Sequence, residues 1–151
     1  MDRWTSKVQA NVAPERLLEV LTHHDQIRRW SPVDFDVDDL ESRRLSAGSR
    51  TKVTGRLAGV PVSFDVEVHT AEPDRLELSA EGPIGLEVVY ELADADEGSE
   101  MTASVRVRRG RGITGRVVAT AATSLLTAGA LDGATGRIAR VAEAQPYAAA
   151  A

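Results

Sequence analysis

The sequence predicts an α+β domain: a seven-stranded curved antiparallel sheet, two short helices near the N-terminus, and one long C-terminal helix against the sheet. Three observations predict it. Period-two alternation recurs in seven segments, and in each the apolar residues keep to one side. Turn signals at Ala47-Gly48, Ala58-Gly59, Glu72-Pro73-Asp74 and Gly82-Pro83 separate these segments at hairpin spacing. From about Thr114 to Glu143 no proline intervenes and the apolar spacing becomes helical. Strands with one apolar and one polar face build antiparallel sheets, wet outside and covered inside.

The elements follow in order. Trp4, Ser6, Val8, Ala10 and Val12 share one side of a first strand. Pro14 suits the first position of a helix over 14–22, whose stripe is Leu17, Leu18 and Leu21. A second short helix covers about 25–30, and Pro32 ends it. Val33, Phe35 and Val37 alternate with Asp34, Asp36 and Asp38. Then come Thr51, Val53, Gly55 and Leu57; Val62, Phe64, Val66 and Val68; Leu76, Leu78 and Ala80; Leu86, Val88, Tyr90 and Leu92; and Met101, Ala103, Val105 and Val107. The stretch DADEGS reads as a polar loop. The C-terminal helix threads Ile113, Val117, Ala121, Leu125, Ala128, Leu131, Ile138 and Val141 on one stripe, and about 30 residues make it roughly 45 Å long. Gly129, Gly133 and Gly136 inside it suggest a bend, a break or a close packing contact. One domain over 1–144 and a flexible tail over 145–151 account for the chain.

Composition narrows the function classes. The chain has 151 residues, 42% of them hydrophobic and 27% charged, which is globular composition rather than disorder. With no cysteine there is no disulfide, thiolate nucleophile or zinc-thiolate site. A net charge of −5 offers no basic surplus for nucleic acid. No apolar run reaches the ~18 residues of a membrane span, and MDRWTSKVQANV lacks a signal-peptide core. The expectation is a cytoplasmic domain with no membrane or nucleic-acid partner.

Particular residues carry a resemblance. Val12-Ala13-Pro14-Glu15-Arg16-Leu17-Leu18-Glu19-Val20-Leu21 forms a strand-to-helix opening. Trp30-Ser31-Pro32 follows, then Gly48 ahead of a strand, and Val68 through Arg75 (VHTAEPDR) forms a turn. In this order and spacing, over about residues 3–144, the chain resembles the START-like superfamily, also called SRPBCC or birch-pollen-allergen-like helix-grip, and within it the polyketide cyclase/dehydrase branch. His23-His24 before Asp25 departs from the branch, whose members more often have a small residue and one Asp there. The resemblance implies a cavity between sheet and C-terminal helix. It also implies sterol and lipid carriers, hormone receptors, polyketide cyclases and enediyne-resistance proteins as functional relatives, and fold does not choose among them.

The candidate ligand-binding residues are Phe35, Val53, Phe64, Val66, Leu78, Leu86, Val88, Tyr90, Ala103 and Val105 on the sheet, with Val117, Ala121, Ser124 and Leu125 on the helix. Aromatic residues are only 4% of the chain, so a long sheet lined with small side chains is hard to fill by itself. Strand parity turns Arg50, Lys52, Arg56, Arg106, Arg108, Glu67, Glu77, Glu87 and His69 outward. Tyr90 and Ser124 are then the main inward polar groups, and a lone phenol without a base is a poor catalytic set. The mouth is expected among the first two helices, the Gly82-Pro83 turn and the Arg111 loop.

Other motifs read more simply. His23-His24-Asp25 is a helix end, since adjacent side chains on a helix diverge by about 100° and no third metal ligand is near. Asp34, Asp36, Asp38, Asp39 and Glu41 form a charged strand face; an EF-hand loop would need Gly and Glu where Asp39 and Leu45 stand. Arg106, Arg108, Arg109, Arg111 and Arg116 oppose that acidic strand and would suit an acidic carrier protein or a phosphate-bearing ligand. The sequence thus points to a monomer or weak dimer, without cofactor or metal, that holds a small hydrophobic polyketide-like or polycyclic molecule as carrier, sequestration or self-resistance protein, or biosynthesis accessory. A polyketide cyclase/aromatase or dehydratase in the same cavity is the alternative.

Overall fold

The structure is a computed structural model and describes residues 2–30, 35–38, 46–57, 60–108, 110 and 112–144. Its elements are β1 (Asp2–Ala10), α1 (Pro14–Thr22), α2 (His24–Trp30), β2 (Phe35–Asp38), β3 (Arg50–Leu57), β4 (Val60–Glu72), β5 (Arg75–Glu81), β6 (Gly85–Ala95), β7 (Gly98–Arg108), α3 (Gly112–Thr127) and α4 (Ala130–Ala144). The strands form one antiparallel sheet in the order β1-β7-β6-β5-β4-β3-β2, so β1 closes on the last strand and every other neighbour is a hairpin partner.

Strand parity follows the alternation. Ser6, Thr51, Val62, Phe64, Leu76, Tyr90, Met101 and Ala103 are buried on the inner face. Lys7, Lys52, Arg56 and Arg106 are exposed on the outer face, where Arg50 pairs with Glu67 at 3.5 Å and Arg106 with Glu87 at 3.6 Å. One irregularity breaks the ladder. The register passes from Val68↔Leu78 to Thr70↔Glu77, so His69 is an extra residue bulged outward. Its Nε2 lies 2.8 Å from Ser79 Oγ. Beyond the bulge the parity of β4 reverses, and Ala71 opposite Leu76 packs on the core.

Two expectations need correction. The DADEGS segment is mostly strand: β6 runs to Ala95 and β7 starts at Gly98, which adopts φ +140 and lies against Ala10 of β1. Glycine is the residue that allows both that φ and that approach. The single long C-terminal helix is instead two helices, α3 and α4, bent by 61°. Gly129, at φ +100, makes the break, and its amide bonds back to Leu126 O at 3.1 Å in a left-handed helix cap. Gly133 and Gly136 mark no close packing, because added methyl groups would meet only the Arg137 and Arg140 side chains, at 3.6 and 3.9 Å. The Asp34, Asp39, Glu41, Arg109 and Arg111 readings, the Ala58-Gly59 turn and the 145–151 tail lie outside the described residues.

The helices are fastened by specific contacts. Ser6 Oγ donates to Asp132 Oδ1 at 2.6 Å and lies 2.9 Å from Thr135 Oγ1, which ties β1 to α4 through a buried hydroxyl pair. Trp30 Nε1 donates to Val20 O at 3.0 Å, and Arg137 Nε donates to Trp30 O at 3.0 Å, which binds α1, α2 and α4 together. His23 caps the end of α1 with its amide on Glu19 O. At the far end of the sheet, Gly110 and Gly115 admit the Pro83 carbonyl so closely that a methyl on Gly110 would stand 1.5 Å from it. The β5–β6 turn is thereby locked onto the start of α3. Of the mouth expected among the first two helices, the Gly82-Pro83 turn and the Arg111 loop, Arg111 lies outside the described residues.

Two substitutions test this packing. Gly110→Ala must displace backbone and is expected to cost about 2–4 kcal/mol, in line with other severe steric insertions. Gly133→Ala meets only a flexible arginine and is expected to gain about 0.5–1 kcal/mol of helix propensity. For a chain of this size the two melting temperatures should move in opposite directions by several degrees, about 2–4 °C per kcal/mol. Equal melting temperatures would contradict the Pro83–Gly110 contact.

Candidate functional site

The inner face of the sheet is covered unevenly. A first core gathers Leu17, Leu21, Leu76, Tyr90, Met101 and Ile138 under α1 and α4. A second, at the Pro83 end, gathers Val62, Phe64, Ile84, Val107, Val118 and Ala122 under α3. Cross-strand rows show what lies between them. The row Ser6–Ala103–Tyr90–Leu76 is buried throughout. The next row, Trp4–Val105–Val88–Leu78, faces the same way and is only half-buried. In the row after it, Leu86 and Val66 are half-buried on either side of Ala80. An apolar band on the concave face therefore lies between two packed cores. Trp4, Val105 and the half-buried Leu126 of α3 touch both.

The helices explain the band. α4 lies along β1 and α1 against β6 and β7, while α3 reaches β7 and β3. The 61° turn sends α3 and α4 to different parts of the sheet. The face that α3 offers the sheet is small: Gly115, Val118 and Ala122. Small residues there and valines opposite leave the middle row incompletely covered, where larger side chains would have sealed it.

The band carries little chemistry. Tyr90 borders it, two residues along β6 from Val88. It is 7% exposed, and its hydroxyl has no hydrogen-bond partner among the described residues. Burial pushes its phenol well above the ordinary tyrosine range, because the phenolate would lose its water. Ser6 is engaged by Asp132 and Thr135. Glu67, Glu77, Glu87, His69 and Arg106 sit on the outer face. Among the described residues no cluster of three His, Asp or Glu could hold a metal ion.

The sequence-derived site residues divide into three groups. Val66, Leu78, Leu86, Val88 and Val105 line the band, with Tyr90 and Ala103 at its buried edge. Phe64 lies in the second core, and Val53, its cross-strand partner, is half-buried on the inner face of β3. Phe35 on β2 pairs with Gly55 of β3, and its side chain lies outside the described residues. On α3 the expected face is corrected: Val117 is 45% and Leu125 42% exposed, Ser124 is exposed and Ala121 half-buried. Val118, Ala122 and Leu126, each one position on, face the sheet with Gly115. Their spacing of three and four residues is itself helical. The stripe from 117 to 141 competed with it and prevails only in an unbroken helix.

A one-layer antiparallel sheet curved around C-terminal helices, with an apolar concave band, is the helix-grip architecture of START-like proteins. The family model described as "Polyketide cyclase / dehydrase and lipid transport" matches residues 1–143, and the chain belongs to that family. Solved structures similar to it include protein CV1439 from Chromobacterium violaceum, at 12% identity and TM-score 0.69 over 95% of this chain and 99% of that one. DynU16, a protein of the dynemicin biosynthetic locus, is 23% identical with TM-score 0.60 over 93% of this chain and 46% of its own. Ara h 8.0201 is 14% identical with TM-score 0.59 over 91% and 97%. A search of curated proteins finds no match. Among the described residues no single helix is long and apolar enough to cross a membrane.

The state of Tyr90 gives a pH prediction. The unfolded phenol ionises near pH 10, whereas the folded one keeps its proton to higher pH. The native state then binds more protons, so this residue's contribution to stability falls as pH rises above about 10. In a Tyr147→Phe chain, phenolate absorbance should appear only as the protein unfolds. A phenolate signal near pH 10 with the fold intact would contradict the burial of Tyr90.

Proposed function

We propose that this protein binds a small hydrophobic molecule of polyketide-like or polycyclic type on the concave band between sheet and helices, as a carrier, sequestration protein or biosynthesis accessory. One observation carries the reading: Trp4, Val105, Val88 and Leu78 form a continuous inward-facing row that is only half-buried between two packed cores. Inward apolar surface left incompletely covered gains about 25 cal/mol per Å2 when a ligand covers it. The Tyr90 phenol, neutral and without a partner among the described residues, would donate to a ligand carbonyl or hydroxyl and set its orientation. The family and the similar DynU16 lend support to a natural-product ligand, and among the described residues the band carries no charged side chain, which favours binding over proton transfer.

The test fills the band. Val88→Phe inserted into a packed core would cost about 1–3 kcal/mol; here it should leave the melting temperature unchanged or raised. An amide NMR titration with polycyclic polyketides, sterols and fatty acids should give saturable shifts at Val66, Val88, Tyr90 and Val105, weakened at least tenfold by Val88→Phe. A destabilised variant together with no saturable ligand would overturn the reading. Conversion of a poly-β-ketone precursor by the wild-type chain, followed by chromatography, would replace the carrier with a cyclase.

A further inference from the structure

We propose that the outer face of α3 is a self-association surface on which two copies of this chain pair as antiparallel helices, forming a weak two-fold dimer. The surface is unusual within this molecule. Ile113 is 82% exposed, Val117 45% and Leu125 42%, and these are the large hydrophobic residues that stand exposed among the described ones. With Ala121 they form an i, i+4 ridge along one helix. A helix apolar on both sides is ordinarily buried on both sides, but among the described residues α3 is covered by the sheet on one side alone.

Charge and symmetry select a second copy as the occupant. The chain carries −5 overall, so most approaches of two copies bring acids together. Arg116 is the single charge on α3, which contains no acidic residue, so this face meets its own image without opposing carboxylates. The Val117–Ala121–Leu125 part of the ridge is also self-complementary about Ala121. An antiparallel partner sets Val117 against Leu125 of the other copy and Ala121 against Ala121, while Ile113 reaches past the end of the partner's α3 at Thr127. The small central residue allows the close approach that ridge-into-groove packing needs. The two Arg116 groups then stand about 15 Å apart along the helices, beyond the ~8 Å screening length of physiological salt.

The area sets the strength. Sixteen residues make α3 about 24 Å long, and a pair of such helices buries on the order of 1,000 Å2, just under the ~1,200 Å2 at which specific interfaces begin. The dimer should therefore form in the range of tens to hundreds of micromolar. The pairing stands apart from the ligand reading, since it uses a different stripe of the helix from the one that faces the sheet.

Cysteine scanning tests it cleanly, because the chain has no cysteine of its own. Ala121→Cys should oxidise to a disulfide-linked dimer. An equal mixture of Val117→Cys and Leu125→Cys chains should give a mixed dimer in preference to either homodimer. Sedimentation of the wild-type chain should show mass rising from 16.2 kDa toward twice that between 10 μM and about 1 mM. Val117→Glu, at an exposed position, should stay monomeric with unchanged circular dichroism. Constant wild-type mass over that range would overturn the proposal. So would Ile113→Cys cross-linking to itself as readily as Ala121→Cys, which would mean a parallel pair. Co-sedimentation with anionic phospholipid vesicles without self-association would assign the face to a lipid surface instead.

Discussion

The architecture of the inner face depends on one backbone angle. Gly129 at φ +100 ends α3 and lets α4 leave at 61°. A side chain there would meet no atom but would be forced into a left-handed conformation, so conformation rather than space makes the position a glycine position. Everything above the sheet follows from it. α4 is free to seat Asp132 and Thr135 on Ser6 of β1, and α3 is free to reach the Pro83 turn through Gly110 and Gly115. A straight helix of the same residues would lie along one line across the sheet and could not serve both anchors. The half-buried row between the two cores is the geometric remainder of that division.

Much of the fold was legible in the sequence, for a physical reason. A strand with one wet face advertises its orientation every second residue, so the inward sets around Phe64, Leu76, Tyr90 and Ala103 could be read directly. The start of α1 at Pro14 was equally plain, since proline suits the first helical turn. The β4 bulge was not legible. Nothing in Val68-His69-Thr70 distinguishes an extra residue from a regular one, and the fault shows only when Leu78 and Glu77 are seen to pair on either side of it. Of the site, the sheet half was legible and the helix half was not. On α3 two apolar stripes run side by side, Val117 with Leu125 and Val118 with Ala122. Which one faces the sheet is decided by the break at Gly129 and the anchor at Gly110, both of them tertiary.

Segregation of charge bears on what the band can do. The described cross-strand ion pairs lie on the outer surface, as in Arg106 with Glu87, where water screens them and each contributes little. On the strands beside the band, Tyr90 is the titratable side chain that faces inward among the described residues, and burial holds it neutral; Asp132 of α4 reaches the same row through Ser6. Acid–base catalysis needs a second group with a pKa pulled the other way, poised within reach of the first. A neutral phenol can donate one hydrogen bond and orient a molecule, which is the role the proposed reading gives Tyr90.

The same helix limits both surfaces. α3 has one charged residue in sixteen, and its two broad faces are both apolar enough to be covered. The sheet covers one incompletely and nothing among the described residues covers the other. A molecule on the band would press on Val118 and Ala122, and a second chain would press on Val117 and Leu125, only one residue away on the same rigid turn. Successive residues on a helix point about 100° apart, so the two stripes look in different directions and covering one leaves the other free to be covered.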